Sequence, residues 1–202
     1  MVDYSIENEY REKGFNIICG VDEAGRGPLA GPVYAAAVIL SPDCVIEGLN
    51  DSKKLTEKKR EALFDEIKEK ALAYGIASAD EKEIDEINIL NATFLAMKRA
   101  INSLSVKPDL ALIDGNQKPH TDIEEVTVIK GDAKSTSIAA ASVLAKVSRD
   151  RFMLEMAEKY PQYEFARHKG YGTKLHYEKI AQYGVCNIHR RTFLKKILGE
   201  QK

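Results

Sequence analysis

At 202 residues, 44% hydrophobic and 30% charged, the chain has the size and composition of one folded domain with room for a small C-terminal appendage. No apolar run approaches the ~18 residues of a membrane span, and the charged stretch from Met1 to Lys13 lacks the apolar core of a secretory signal. A cytoplasmic protein without a membrane partner is therefore expected, and the widely spaced Cys19, Cys44 and Cys186 form neither a disulfide framework nor a zinc spacing. The net charge of −1 is unevenly divided: residues 165–202 carry a surplus of seven positive charges and 1–164 a deficit of eight. A basic tail beside an acidic body suits a polyanion, and equally a solvated helical face.

Along the chain, Asn16–Asp22 is an apolar run that stops at an acid and a glycine-rich turn, and reads as a buried strand. Val33–Leu40 reads as a second, and so short a link favours an antiparallel hairpin. Thr56–Leu72 places Leu63, Phe64, Ile67 and Ala71 at helical spacing behind Thr56 as N-cap. Ala73–Ala79 follows as a strand, and Ile87–Leu104 as a helix with apolar residues at three- and four-residue steps. Leu110–Ile113 and Val126–Ile129 are short strands ending at Asp114 and at Gly131-Asp132. Ser135–Tyr160 reads as a long helix whose small residues let it lie close to a sheet. Thr173–Tyr183, closed by Gly184, and the basic Thr192–Leu198 complete the helices. Mixed strands and helices with a hairpin first predict an α/β layered domain with a mixed sheet.

Four acids stand where apolar strands stop: Asp22, Glu23, Asp114 and Asp132. Each alone is an ordinary turn residue. Together they would repel one another unless cations neutralise them, and hard divalent ions take such oxygen ligands. Asp22 and Glu23 pose a difficulty, because neighbours on a strand point to opposite faces. Both reach one site only if the strand ends or bulges between them.

The string Asp22-Glu23-Ala24-Gly25-Arg26-Gly27 resembles the signature of ribonuclease HII, the type 2 ribonuclease H. Asp51-Ser52-Lys53-Lys54-Leu55 is similar to the family's phosphate-contact loop, and Asp114-Gly115-Asn116 and Lys130-Gly131-Asp132 to the segments of its later acids. Ser135 to Asp150 resembles its long helix, and His168-Lys169-Gly170-Tyr171-Gly172-Thr173 the loop of its junction-reading tyrosine. The resemblance runs from Ile18 to Leu194. It implies a ribonuclease H-like mixed sheet flanked by helices over 1–164, with a basic helical segment, 165–202, packed on the same domain. It also implies hydrolysis of the RNA strand of RNA–DNA hybrids and of DNA duplexes containing single ribonucleotides. The cut would lie 5′ of the ribonucleotide, leaving a 3′-hydroxyl and a 5′-phosphate by a two-metal mechanism.

On this resemblance Asp22, Glu23, Asp114 and Asp132 bind two divalent ions, Mg²⁺ or Mn²⁺. Gly25, Arg26 and Gly27 meet the ribose and its phosphate, since glycines allow close backbone approach and the 2′-hydroxyl marks RNA. Ser52, Lys53 and Lys54 contact phosphates, and Tyr171 stacks on the deoxyribose that follows. A monomer is the expected state. His168 is left open as a substrate contact. The sister class, ribonuclease HIII, carries an extra substrate-binding domain, for which the short stretch before the first strand is expected to leave no room.

Overall fold

The computed structural model describes residues 2–50, 52 and 55–199. Its centre is a five-stranded sheet in the order β3-β2-β1-β4-β5. β1 (Ile18–Ala24), β2 (Val33–Ile39) and β3 (Ala73–Ala79) form an antiparallel meander, as the short link after β1 predicts. β4 (Leu110–Asp114) adds to the other edge of β1 in parallel, and β5 (Glu124–Val128) follows in parallel. The sheet is mixed.

Alternation along β1 and β2 divides the core into two layers. Cys19, Val21, Ala35 and Ala37 pack against Ala92, Ala96, Met97 and Ala100 of α3 (Glu81–Asn102). On the opposite face Ala36 and Val38 meet α2 (Glu57–Lys70) and the long α4 (Thr136–Lys159) through Phe64, Ile67, Ala140 and Leu144. The first turns of α4 are buried on almost every side, so its small residues act as predicted. At Gly20 a β-carbon would lie 2.2 Å from the Ser137 carbonyl carbon and 2.3 Å from the Ile138 nitrogen. Only a glycine lets β1 and α4 come this close.

Two differences from the sequence expectation have physical causes. α3 begins at Glu81, before the predicted Ile87, because Asp80 and Glu83 form a reciprocal cap at its start. The backbone then breaks at Asn88 (φ 67°), whose side chain accepts from the Leu90 and Asn91 amides and caps the helix anew. A short α1 (Ser5–Glu12) was not anticipated. It is anchored by fully buried Glu7, which accepts from the Ser135 hydroxyl at 2.7 Å and the Ser137 amide at 2.9 Å.

Beyond α4 lie α5 (Phe165–His168), α6 (Lys174–Tyr183) and α7 (Arg191–Leu198). Thr173 caps α6 as predicted, accepting from the His176 amide. α7 is capped from across the fold: Asp85 accepts from the Arg191 and Thr192 amides at 2.8 and 2.9 Å. No described helix is long and apolar enough to cross a membrane.

Candidate active site

The parallel pairing of β1 with β4 sets Asp22 beside Asp114, and the tight turn after β5 brings in Asp132 at the foot of α4. One carboxylate oxygen from each of these three acids lies within 4.8 Å of the others. Asp22 and Asp132 are buried, Asp114 half-buried. The Asp22 carboxylate accepts from the Glu23 amide at 2.7 Å, and Asp114 from the Gly131 amide at 2.7 Å. These bonds fix the groups without neutralising them. Burial first, then the charges of Glu23 and Asp114, hold the Asp22 carboxyl well above the ordinary carboxylate range. Hard oxygen donors gathered against their own repulsion fit a divalent cation.

Glu23 is placed differently. β1 stays paired with β2 from Cys19 through Ala24 with no bulge, so Asp22 and Glu23 leave the strand on opposite faces. Glu23 is not one of the three converging acids. It borders the same strand end, where it shares a small cavity with Asp114 and lies 3.5 Å from the Arg26 guanidinium.

A cleft beside the acids is lined by Glu23, Gly25, Arg26, Ser52, Lys146 and Tyr171. Four candidate substrate contacts from distant parts of the sequence are thus brought together. Ser52 is buried, its hydroxyl 2.8 Å from that of Ser142, and its carbonyl accepts from Arg60 at 3.0 Å. Lys53 and Lys54 lie outside the described residues. Gly27 is exposed, with no atom within 4 Å of where a β-carbon would stand.

The Gly25–Pro32 loop is held on two sides. Arg149 of α4, almost fully buried, donates to the Ala30 and Pro32 carbonyls at 3.1 and 3.2 Å. Arg190, fully buried, donates to Gly25, Arg26 and Gly31 carbonyls at 2.6, 2.9 and 2.8 Å. Arg190 lies within the basic segment 165–202, yet its side chain is part of the loop's interior scaffold. The ring of Tyr171, 43% exposed, sits 5.6 Å from the Arg149 guanidinium carbon, close enough for cation–π attraction.

The family model for ribonuclease HII matches residues 19–196. The chain belongs to the ribonuclease HII family. A ribonuclease HII of Caldicellulosiruptor bescii is 58% identical over 196 residues, covering 97% of this chain and 95% of its own. That of Acetivibrio thermocellus is 59% identical over 192 residues, covering 95% of this chain and 75% of its own. The crystal structure of ribonuclease H2 from Pyrococcus horikoshii OT3 is similar with a TM-score of 0.76 at 30% identity, over 92% of this chain and 97% of that one. The enzyme is accordingly a ribonuclease H, an endonuclease that hydrolyses the RNA strand of RNA–DNA hybrids with the family's dependence on divalent metal.

Within this ribonuclease H, His168, His176 and His189 are buried together beside the Tyr171 loop. His168 is buried, its Nε2 bonded to the Tyr163 carbonyl and its Nδ1 accepting from the Gly170 amide. It stacks on His176 with ring centroids 4.3 Å apart. A single set of tautomers satisfies the next chain of bonds. The Cys186 amide donates to His189 Nδ1 at 2.9 Å, His189 Nε2 to His176 Nε2 at 3.1 Å, and His176 Nδ1 to the Tyr171 carbonyl at 3.0 Å. Each ring in that chain must be neutral. Burial accordingly pulls His176 and His189 down to about 4.

Sequence reading missed Lys146, Arg149 and Arg190 as parts of this region. Lys146 reaches the cleft from α4 and is paired with Asp150 at 2.6 Å. A long cation interrupting the small and apolar residues of a helix was the one available signal for Lys146 and Arg149.

Proposed function

We propose that the enzyme cuts DNA duplexes at single embedded ribonucleotides as well as continuous hybrids, acting as a monomer. The cut falls 5′ of the ribonucleotide and leaves a 3′-hydroxyl and a 5′-phosphate. The observation that carries this reading is one cleft bordered by Glu23, the Gly25-Arg26 turn and Tyr171, with Glu23 directly following Asp22 of the converging acids. Asp22, Asp114 and Asp132 would hold the divalent ions, Mg²⁺ or Mn²⁺, with Glu23 reaching them around the end of β1 through the cavity it shares with Asp114; when bound, the ions activate water and neutralise charge on the leaving oxygen.

The remaining residues select and orient. Arg26 grips a phosphate with its planar fork, and Gly25 and Gly27 admit the ribose, whose 2′-hydroxyl distinguishes RNA. Tyr171 packs on the next sugar and favours one without a 2′-hydroxyl. Ser52 is tied to α4 through Ser142, and Lys53 and Lys54 would contact phosphates, which position a duplex without reading its sequence.

The test is cleavage of an end-labelled duplex carrying one ribonucleotide, with product ends mapped. Asp22→Asn should abolish metal-dependent cleavage while leaving the circular dichroism and a cooperative melting transition intact. Substantial cleavage by a folded Asp22→Asn protein, or a cut 3′ of the ribonucleotide, would overturn the proposal.

A further inference from the structure

We infer that Arg190 is a positioning residue for the Gly25-Arg26-Gly27 turn, and not a phosphate contact of the basic tail. The inference rests on the reading of that turn as the ribose-recognising element. A fully buried guanidinium is costly unless its donors are satisfied. All three side-chain bonds of Arg190 go to carbonyls of the β1–β2 loop, at 2.6–2.9 Å. Its own amide donates to the Leu29 carbonyl at 2.9 Å, so main chain and side chain fasten the same loop.

The consequence follows from peptide geometry. Among the described residues no peptide bond is cis, and in a trans unit the N–H points opposite to the C=O. The Gly25 carbonyl shares its plane with the Arg26 amide, and the Arg26 carbonyl shares its plane with the Gly27 amide. Drawing both carbonyls onto the guanidinium therefore turns both amides away from it, as donors on the outer side of the turn. A planar fork can span carbonyls of neighbouring residues at once; a lysine ammonium is a point charge and cannot hold the same set.

The same segment reaches the other half of the recognition surface. His189, directly before Arg190, heads the histidine chain that ends on the Tyr171 carbonyl. Cys186–Arg190 thus sets the spacing between the turn and the tyrosine.

Arg190→Lys keeps the charge and loses the fork. On a one-ribonucleotide duplex its kcat should fall on the order of 100-fold, the scale of a small misplacement at a reacting centre. KM and the salt dependence of binding to an all-DNA duplex should stay at parent values, and so should the circular dichroism. Added guanidinium, below denaturing concentration, should restore part of the kcat of Arg190→Ala. A Lys variant with parent kcat, a flattened salt slope on all-DNA duplex, or a folded Ala variant that guanidinium does not rescue would each overturn the inference. If Arg190→Lys does not fold, the rescue of Arg190→Ala decides.

Gly27→Ala separates this inference from the reading beneath it. The readout is relative affinity for the one-ribonucleotide and all-DNA duplexes. If Gly27→Ala keeps the parent preference, the turn does not read ribose, and the underlying reading is the one that fails. If Gly27→Ala loses the preference and Arg190→Lys keeps the parent kcat, the positioning role alone fails.

Discussion

Alanine at Gly25 and at Gly27 should separate what the fold demands from what the substrate demands. Gly25 has φ +100°, and a β-carbon there would lie 2.1 Å from Arg149 Nε and 2.3 Å from its Cδ. That side chain cannot swing aside without losing its bonds to the Ala30 and Pro32 carbonyls. Backbone strain of ~1–3 kcal/mol and overpacking of ~1–3 kcal/mol together give a loss of about 2–6 kcal/mol. For a protein of this length ~1 kcal/mol moves Tm by about 2–4 °C, so Gly25→Ala should melt roughly 4–24 °C lower. Gly27 lies outside the left-handed region and its β-carbon would meet nothing within 4 Å. Gly27→Ala should therefore melt within about 2 °C of the parent, as surface changes usually do. Its kcat/KM on a one-ribonucleotide duplex should nevertheless fall ~100-fold, because the added methyl stands where the ribose must come. Melting by circular dichroism and steady-state cleavage, each at fixed metal concentration, give both numbers. A parental Tm for Gly25→Ala would refute the packing argument, and parental activity for Gly27→Ala would refute the approach of the sugar.

Tyr171→Ala should lower activity on a single embedded ribonucleotide at least ~10-fold, at about 1.4 kcal/mol of lost contact, while Tyr171→Phe retains most of it; equal activity of the Ala variant and parent would return Tyr171 to ordinary surface. The neutral histidines predict a loss of stability in acid. His176 and His189 sit at about 4 in the fold against an ordinary 6.5, so their contribution is complete above pH 6.5 and disappears as pH falls toward about 4. Melting curves across that window should show Tm falling less steeply in His189→Gln than in the parent, and identical slopes would remove the histidines from the account. Lys195 and Lys196, both exposed on α7, remain as the tail's candidate phosphate contacts. Replacing both with Gln should raise KM more than it lowers kcat and reduce the log–log salt slope by up to ~2; an unchanged slope assigns them to a solvated face.

What could be read in advance was what apolar patterning and chain breaks report. β2 and β3 were legible as runs of apolar and small residues, and α4 as a small-residue helix. Asp22, Asp114 and Asp132 were legible because each ends an apolar run, the place where a sheet delivers a fixed group to solvent. The hidden parts depend on charged side chains whose partners are remote in sequence. Glu7 makes α1 a fixture by reaching Ser135 and Ser137, and Asp85 caps α7 from α3. Nothing local to either acid announces these distant partners. Arg190 misled for the same reason: beside Arg191, Lys195 and Lys196 it looks like one more surface cation. Only the folded loop supplies the carbonyls that draw it inside. Glu23 shows the converse limit, since pairing through Ala24 is a tertiary outcome that the glycines downstream did not forecast.

The three converging acids belong to segments that scarcely sense one another in the unfolded chain. Folding alone concentrates their charge at one point, so the native state carries a repulsion that the denatured ensemble lacks. Thermodynamic linkage then makes divalent cation a folding ligand as well as a cofactor: an ion that binds only the native cluster stabilises it by ~2.7 kcal/mol at one hundred times its dissociation constant. At ~2–4 °C per kcal/mol, that corresponds to a rise in Tm of roughly 5–10 °C on adding metal to the parent protein. Asp22→Asn, with one charge fewer to neutralise, should begin from a higher metal-free Tm and gain less.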